Sequence, residues 1–349
     1  MAKSWLERAA QAIPLSMYRL LIRRDVIGFV YHVISDESLP HIRHLYPYKN
    51  LAMFEQDLDY LHYTFHLISY EQLVELRTGK LRLRRPAALL SFDDGLKECF
   101  SVIRPVLLKR GIPGLFFINT DGIDNRRMLY RQKISLCIEK IQAATETERQ
   151  ATLTRLNAVL GQPIVEQRSV EALAAFVKWI KSLNYRNRDT IDLLCQMLDI
   201  DVNEYLRSHQ PYLTVAQIRR MAEEGFTIGA HTRGHPKLNL LTPEEVEDEI
   251  AGSCLAIQEI TGQGQVPFAF PFSAYGLNRE MLSGILSRHH FIGSLFDAKG
   301  IRKDKSFIMN RIMVDRRFSA SINQSDLPQH LHRAYQDVFL LKIRRRGIA

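Results

Sequence analysis

The chain predicts an α/β protein, a mainly parallel sheet covered by helices. Three observations carry that reading. Short apolar, strand-like runs alternate with segments of helical periodicity along most of the 349 residues. Such alternation makes the connections helical crossovers and neighbouring strands parallel. The composition, 46% hydrophobic and 24% charged, is ordinary for a globular protein and supplies ample core. At this length a (β/α) barrel and a doubly wound sheet are the two candidates.

In chain order, Ser4 and Glu7 have capping-box spacing ahead of Trp5, Leu6, Ala9, Ala10 and Ile13. A second short helix after Pro14 carries Tyr18, Leu20, Leu21 and Ile22 among arginines. Residues 26–31 read as a buried strand and 54–63 as a helix. A strand at 87–92 precedes a helix at 99–109 with Pro105 in its first turns, then a strand at 114–118. A helix over 215–224 ends at Gly225 and a strand follows at 226–230. The helix over 243–261 has Pro at its start and Gly262 past its end. A short strand at 268–271, a helix at 278–288 and strands at 291–295 and 307–314 complete the alternation.

The alternation breaks between residues 124 and 210. Ile134, Ile138 and Ile141 share one helical face, and Leu173, Phe176, Val177 and Ile180 follow helical spacing behind a Ser169 cap. The expected organisation is two amphipathic helices at 1–25, an α/β domain at 26–318 with a helical insertion at 124–210, and a basic helical tail at 319–349.

The formal charge of +9, concentrated near Arg19–Arg24 and Lys342–Arg346, favours anionic partners. No zinc-finger or RNP signature supports nucleic acid. The four cysteines are far apart and read as buried free thiols of a reducing compartment. Glu7, Arg8 and Pro14 interrupt any secretory signal, and no apolar run approaches the roughly 20 residues a membrane span needs. The expected location is cytoplasmic, with peripheral contact at the inner membrane face open to the first two helices.

Chemistry in a parallel α/β architecture sits just past the strands. After 87–92 come Asp93, Asp94 and Gly95; after 226–230 comes His231-Thr-Arg-Gly-His235; after 268–271 come Phe272, Ser273, Ala274 and Tyr275. Two imidazoles and one carboxylate make a facial metal site with open positions. Gly234 and Pro236 oppose a helix, so a tight turn would aim both rings inward. No Glu follows His231, so this is not a zincin; the base must come from elsewhere, and the aspartate pair supplies a spare carboxylate, one aspartate on the metal and the other free to take a proton.

SFDDG, HTRGHP and FAFPFSAYG, in that order, resemble the successive motifs of the polysaccharide deacetylase family (NodB homology domain, carbohydrate esterase family 4). The resemblance implies a distorted (β/α) barrel, a divalent metal that is most often Zn2+, and hydrolysis of an N-acetyl group on a sugar. By position, Asp93 resembles the general base and Asp94, His231 and His235 the metal ligands. Pro271, Phe272 and Tyr275 fall in the substrate and oxyanion loop, and His32 past the first strand would line the pocket. Two features depart from the family. An Arg that orients the base is missing before Pro271, and Arg311 is the available substitute. The His that acts as general acid near the last strand is also missing; His330 and His332 read as solvent-facing, which leaves the acid unassigned.

The expected substrate is a precursor or lipid-linked saccharide in surface-polysaccharide or glycolipid assembly. The alternatives are another amide hydrolase on this scaffold, such as a deformylase, and a catalytically silent carbohydrate-binding protein.

Overall fold

The structure is a computed structural model that describes residues 5–160, 172–315 and 325–345. Its strands are β1 (Val26–Tyr31), β2 (His66–Leu67), β3 (Ala87–Phe92), β4 (Leu115–Ile118), β5 (Thr227–Ala230), β6 (Val266–Ala269), β7 (Ile292–Asp297) and β8 (Ile308–Met313). Neighbours run β1-β8-β7-β6-β5-β4-β3, and β3 returns to pair with β1 from Val26↔Ala87 to Tyr31↔Phe92. That last pairing closes a ring of seven parallel strands. A doubly wound sheet keeps two free edges, so closure decides between the two architectures that alternation allowed. The barrel is distorted: β5 and β6 share one pair, Ala230↔Phe268, and the register shifts between Val266 and Phe268. The two-residue β2 pairs with β3; it is too short to carry a periodic signal.

Side chains alternate across each strand. On β3, Ala87 and Leu89 join Leu115, Phe117, Phe296 and Met309 inside the ring. Ala88, Leu90 and Phe92 face outward into the larger cluster under the helices. The inward set therefore continues through Ser91 to Asp93. The helix Pro243–Thr261 shows how local chemistry sets an outer element: Thr242 and Glu245 form a reciprocal capping box, and Gly262 ends it in the left-handed conformation. The segment read as one helix from 99 to 109 instead opens as a wide π turn, Cys99–Ile103, before the helix Arg104–Arg110. Pro105 has no N–H to give to the ladder, so the turn before it loosens.

Between β4 and β5, the helices Tyr130–Ala143, Glu146–Leu160, Ala172–Ser182, Arg188–Met197 and Val202–His209 pack around their own apolar cluster, including Ile134, Ile138, Phe176, Ile180 and Leu194. Cys137 and Cys195 meet there with sulfurs 3.7 Å apart, and all four cysteines are buried and unbridged. The Ser169 cap and Ser4 of the first capping box lie outside the described residues, as do residues 319–324 and 346–349 of the basic tail.

The helix Leu15–Leu21 packs Tyr18 into the main core, with its ring against His332 and Phe339 of the helix Leu327–Arg345. This corrects the reading of His330 and His332 as solvent-facing. His330 is buried, and His332 Nε2 lies 2.8 Å from the Ile13 carbonyl. The N-terminal segment covers that face of the C-terminal helix, a contact more than 300 positions long that no local pattern announces.

Candidate active site

The site lies just past the carboxyl ends of β1, β3, β5, β6 and β8, around a cavity of about 210 Å³. The strand-end logic explains the Asp-Asp-Gly sequence. Asp93 N–H still donates to the Tyr31 carbonyl as the ladder ends. The chain then turns through two left-handed residues, Asp94 (φ 75°) and Gly95 (φ 66°). A Cβ on Gly95 would come within 2.8 Å of Ile118 Cγ2, so the turn needs glycine there for space as well as for φ. The turn sends the two carboxylates to different partners.

Asp93 is held by Arg311. The guanidinium donates to both carboxylate oxygens, at 2.7 and 2.8 Å, and from Nη1 to Ser91 Oγ at 2.9 Å. Arg311 is fully buried, beside the rings of Phe117 and Phe296. Its stem runs where a Cβ on Gly28, its partner on β1, would stand, 2.8 Å from Arg311 Cγ. Burial pushes the Asp93 carboxyl up, but Arg311, with His231 and His32, holds it below the usual carboxylate range.

Asp94 faces the imidazoles. Its Oδ1 is 3.5 Å from His231 Nε2 and 3.4 Å from His235 Nε2, while Oδ2 accepts from the Tyr46 hydroxyl at 2.8 Å. His231 Nδ1 is 2.8 Å from the Ala269 carbonyl, which fixes the N–H on that nitrogen and leaves Nε2 bare. Thr232 and His235 both take positive φ, 66° and 62°, and His235 N–H donates to Thr232 Oγ1 at 3.1 Å. The turn, not a helix, aims both rings inward. Burial lowers both imidazoles, His235 to about 3, so each is neutral with a lone pair available. Burial opposes ionisation of Asp94, yet His235, His32, His231 and the Tyr46 hydroxyl hold it at about 2.

One donor atom from each of Asp94, His231 and His235 lies within 4.8 Å of the others. Asp94 Oδ1 is buried and makes no hydrogen bond among the described residues. A buried carboxylate oxygen left without a donor is costly unless a cation satisfies it. Two imidazoles and a carboxylate suit Zn2+ with open positions. The residues present therefore fit a divalent metal.

His32 stands across the cavity. Its Nδ1 is 2.5 Å from Asp315 Oδ2, and its ring lies 4.8 Å from that of Tyr46. Burial lowers its pKa, but Asp315, aided by Asp94 and Asp93, overrides this and raises it to about 9. In the loop after β6, Phe272 lines the cavity and Pro271 is buried behind it. Tyr275 is 75% exposed and sits beside Lys299, outside the cavity, so the structure does not bring it to the site.

Sequence reasoning missed Tyr46, Asp315, Arg131 and Gln132. Asp315 lies two residues past the end of β8, so the strand-end rule applied to the last strand would have found it. Tyr46 lies in a loop and Arg131 and Gln132 on the inserted helix, where no motif marks them.

Fold and site together define a closed parallel barrel with a candidate metal centre at the carboxyl ends of its strands. The family model described as polysaccharide deacetylase matches residues 190–283, a stretch that includes His231, His235 and the loop after β6. Over this segment the chain is similar to the polysaccharide deacetylase family, the family its motifs resemble. A Bacillus subtilis protein, YxkH, named provisionally as a polysaccharide deacetylase, is 27% identical over 114 residues. That match covers 32% of this chain and 40% of YxkH, so the chain spans well under half of this relative's length. Among solved structures, the Streptococcus pyogenes deacetylase PplD, in complex with acetate, is 15% identical with a TM-score of 0.52, covering 89% of this chain and 97% of that one. IcaB from Ammonifex degensii is 16% identical with the same coverage and TM-score. At such identity these two likenesses speak for the fold.

Proposed function

We propose that the chain is a metal-dependent hydrolase that removes an N-acetyl group from an amino sugar. The observation that carries this reading is the division of labour in the aspartate pair: Asp93 is clamped by Arg311, and Asp94 is turned toward two neutral imidazoles over the same cavity.

In this reading Asp94, His231 and His235 hold the metal, with Zn2+ the assignment the donor set favours. When bound, such an ion polarises an acyl carbonyl and makes water nucleophilic near neutral pH. Asp93, ionised and oriented by Arg311, takes the proton of the attacking water. Ser273 and Tyr275 spend their N–H groups within the loop, on Pro271 O and Ser273 Oγ. The N–H of Phe272, the loop residue on the cavity, is then the donor assigned to the developing oxyanion. His32, kept cationic by Asp315, fills the role of the missing family histidine and delivers a proton to the departing amine. Free amine and acetate leave.

The working domain assignment keeps residues 26–318 as the catalytic barrel, with the insertion at 124–210 serving as one wall of the cavity through Arg131 and Gln132. The substrate is assigned as a precursor or lipid-linked saccharide of surface-polysaccharide or glycolipid assembly. The outer face of the helix Leu15–Leu21 supports contact with an anionic membrane: Leu20 is 70% exposed and Leu21 54%, near exposed Arg23. No described helix is long and apolar enough to cross a membrane.

The deciding experiment measures metal content together with acetate and formate release, for the purified chain and Asp93→Asn, on N-acylated amino-sugar oligomers and lipid-linked sugars. Stoichiometric metal with acetate release that disappears in the variant supports the reading. Formate alone selects the deformylase alternative, and a chain that takes no metal overturns the enzymatic assignment.

A further inference from the structure

Among the described residues, the charged side chains that line the cavity are paired off, with one exception. Asp93 is matched by Arg311, His32 by Asp315, and Asp94 belongs with the two imidazoles to a cation's donor set. Arg131 is left over. It lines the cavity from the first turn of the helix Tyr130–Ala143, and among the described residues no carboxylate lies within ion-pair distance of it. Its guanidinium carbon sits 5.1 Å from the centroid of the Phe272 ring, and the Lys237 ammonium sits 5.1 Å from the same centroid. Phe272 is itself held at φ 59°, a strained conformation for a bulky residue, with its ring against His235 at 4.9 Å. A strained aromatic thus seats two cations beside an imidazole of the donor set.

A ring face steadies a cation without neutralising it, and it leaves the outer N–H groups free. An uncompensated cation beside a divalent metal site repels the metal, and an anion that joins it relieves that repulsion. Two such cations at one ring suit a group carrying more than one negative charge, and a guanidinium with an ammonium can together donate to several phosphate oxygens.

We infer that the mouth of the cavity is a subsite for a phosphate on the amino-sugar substrate, with Arg131 as its main contact and Lys237 as its second. The inference deepens, and rests on, the sugar-deacetylase reading, since it names the class of sugar that site takes: an amino sugar carrying an anomeric phosphate. That chemistry is shared by nucleoside diphosphate sugars and prenyl diphosphate-linked sugars.

The test is binding, so that it stands apart from turnover. Calorimetry with metal-loaded Asp93→Asn protein compares N-acetylglucosamine 1-phosphate with its neutral methyl glycoside. The expected result is about ten- to hundredfold tighter binding of the phosphate, a preference that weakens in salt. It should vanish in Arg131→Met, shrink in Lys237→Met, and survive in part in Arg131→Lys; thermal melts confirm that each variant is folded. Equal affinity for the two sugars, a preference indifferent to Arg131, or tighter binding of a uronic acid overturns the subsite. Phosphate preference without acetate release from any sugar supports the subsite and counts against the deacetylase. Acetate release from neutral oligomers with no phosphate preference does the reverse. If the preference holds, a nucleoside diphosphate sugar and a prenyl diphosphate sugar assayed side by side identify the carrier.

Discussion

Replacing Arg311 with Met isolates the clamp on Asp93. The substitution keeps much of the apolar stem and removes both hydrogen bonds to the carboxylate, which is then buried without a counter-ion. Breaking a buried pair from one side costs about 3–5 kcal/mol. The protein has two ways to bear that cost: lose stability, or protonate Asp93. Borne wholly by protonation, it raises the Asp93 pKa toward neutrality. The sign follows from linkage. In the parent, the Asp93 pKa is depressed, so its stabilisation is present above the unfolded carboxylate pKa and is lost as pH falls through the folded value. In the variant burial is opposed only by His231 and His32 and the shift reverses, so the destabilisation is largest near pH 8 and shrinks as acid neutralises the carboxyl. Urea unfolding at pH 5 and pH 8 reads the first effect. The acidic limb of kcat/KM for acetate release reads the second, and should move toward neutrality. A destabilisation below about 1 kcal/mol, or one equal at both pH values with an unmoved acidic limb, would refute the argument that Arg311 keeps Asp93 ionised.

Four further outcomes are expected. Gly28→Ala should lower activity and carry part of the Arg311→Met pH signature, because the new Cβ meets the Arg311 stem at 2.8 Å. Lys49→Met should destabilise by about 3–5 kcal/mol, since Lys49 is fully buried between Asp57 and Asp326, 2.7 Å from each, and its loss leaves two buried carboxylates; chemical denaturation checks this, and Lys49→Met/Asp57→Asn should recover part of the loss. His32→Gln should reduce kcat by about a hundredfold or more; in the parent, activity should fall as pH rises through about 9, where His32 loses its proton, and a pH–rate profile without that limb would remove His32 from the acid role. His231→Ala should lose bound metal by elemental analysis, and chelation should abolish acetate release that added Zn2+ restores.

Much of this protein is legible in one dimension. Apolar runs and helical spacing place the strands, and polar residues just past strand ends single out Asp93, Asp94, His231 and His235, because strand and helix periods and tight-turn chemistry are properties of a few consecutive residues. Even the turn geometry of His231 to His235 follows from the glycine and proline around it. What the residue order leaves open is partnership across distance. Closure of the ring depends on β1 finding both β3 and β8. The clamp on Asp93 comes from Arg311, 218 positions away, and the carboxylate that accepts from His32 is that of Asp315, 283 positions away. His332 reads as a surface residue until the N-terminal helices cover it, and Arg131 belongs to an inserted helix whose own pattern says only that it is amphipathic. Tertiary packing decided these, for a physical reason. A local period sets which way a side chain leaves its element, but the identity of the group it meets depends on how the whole barrel closes.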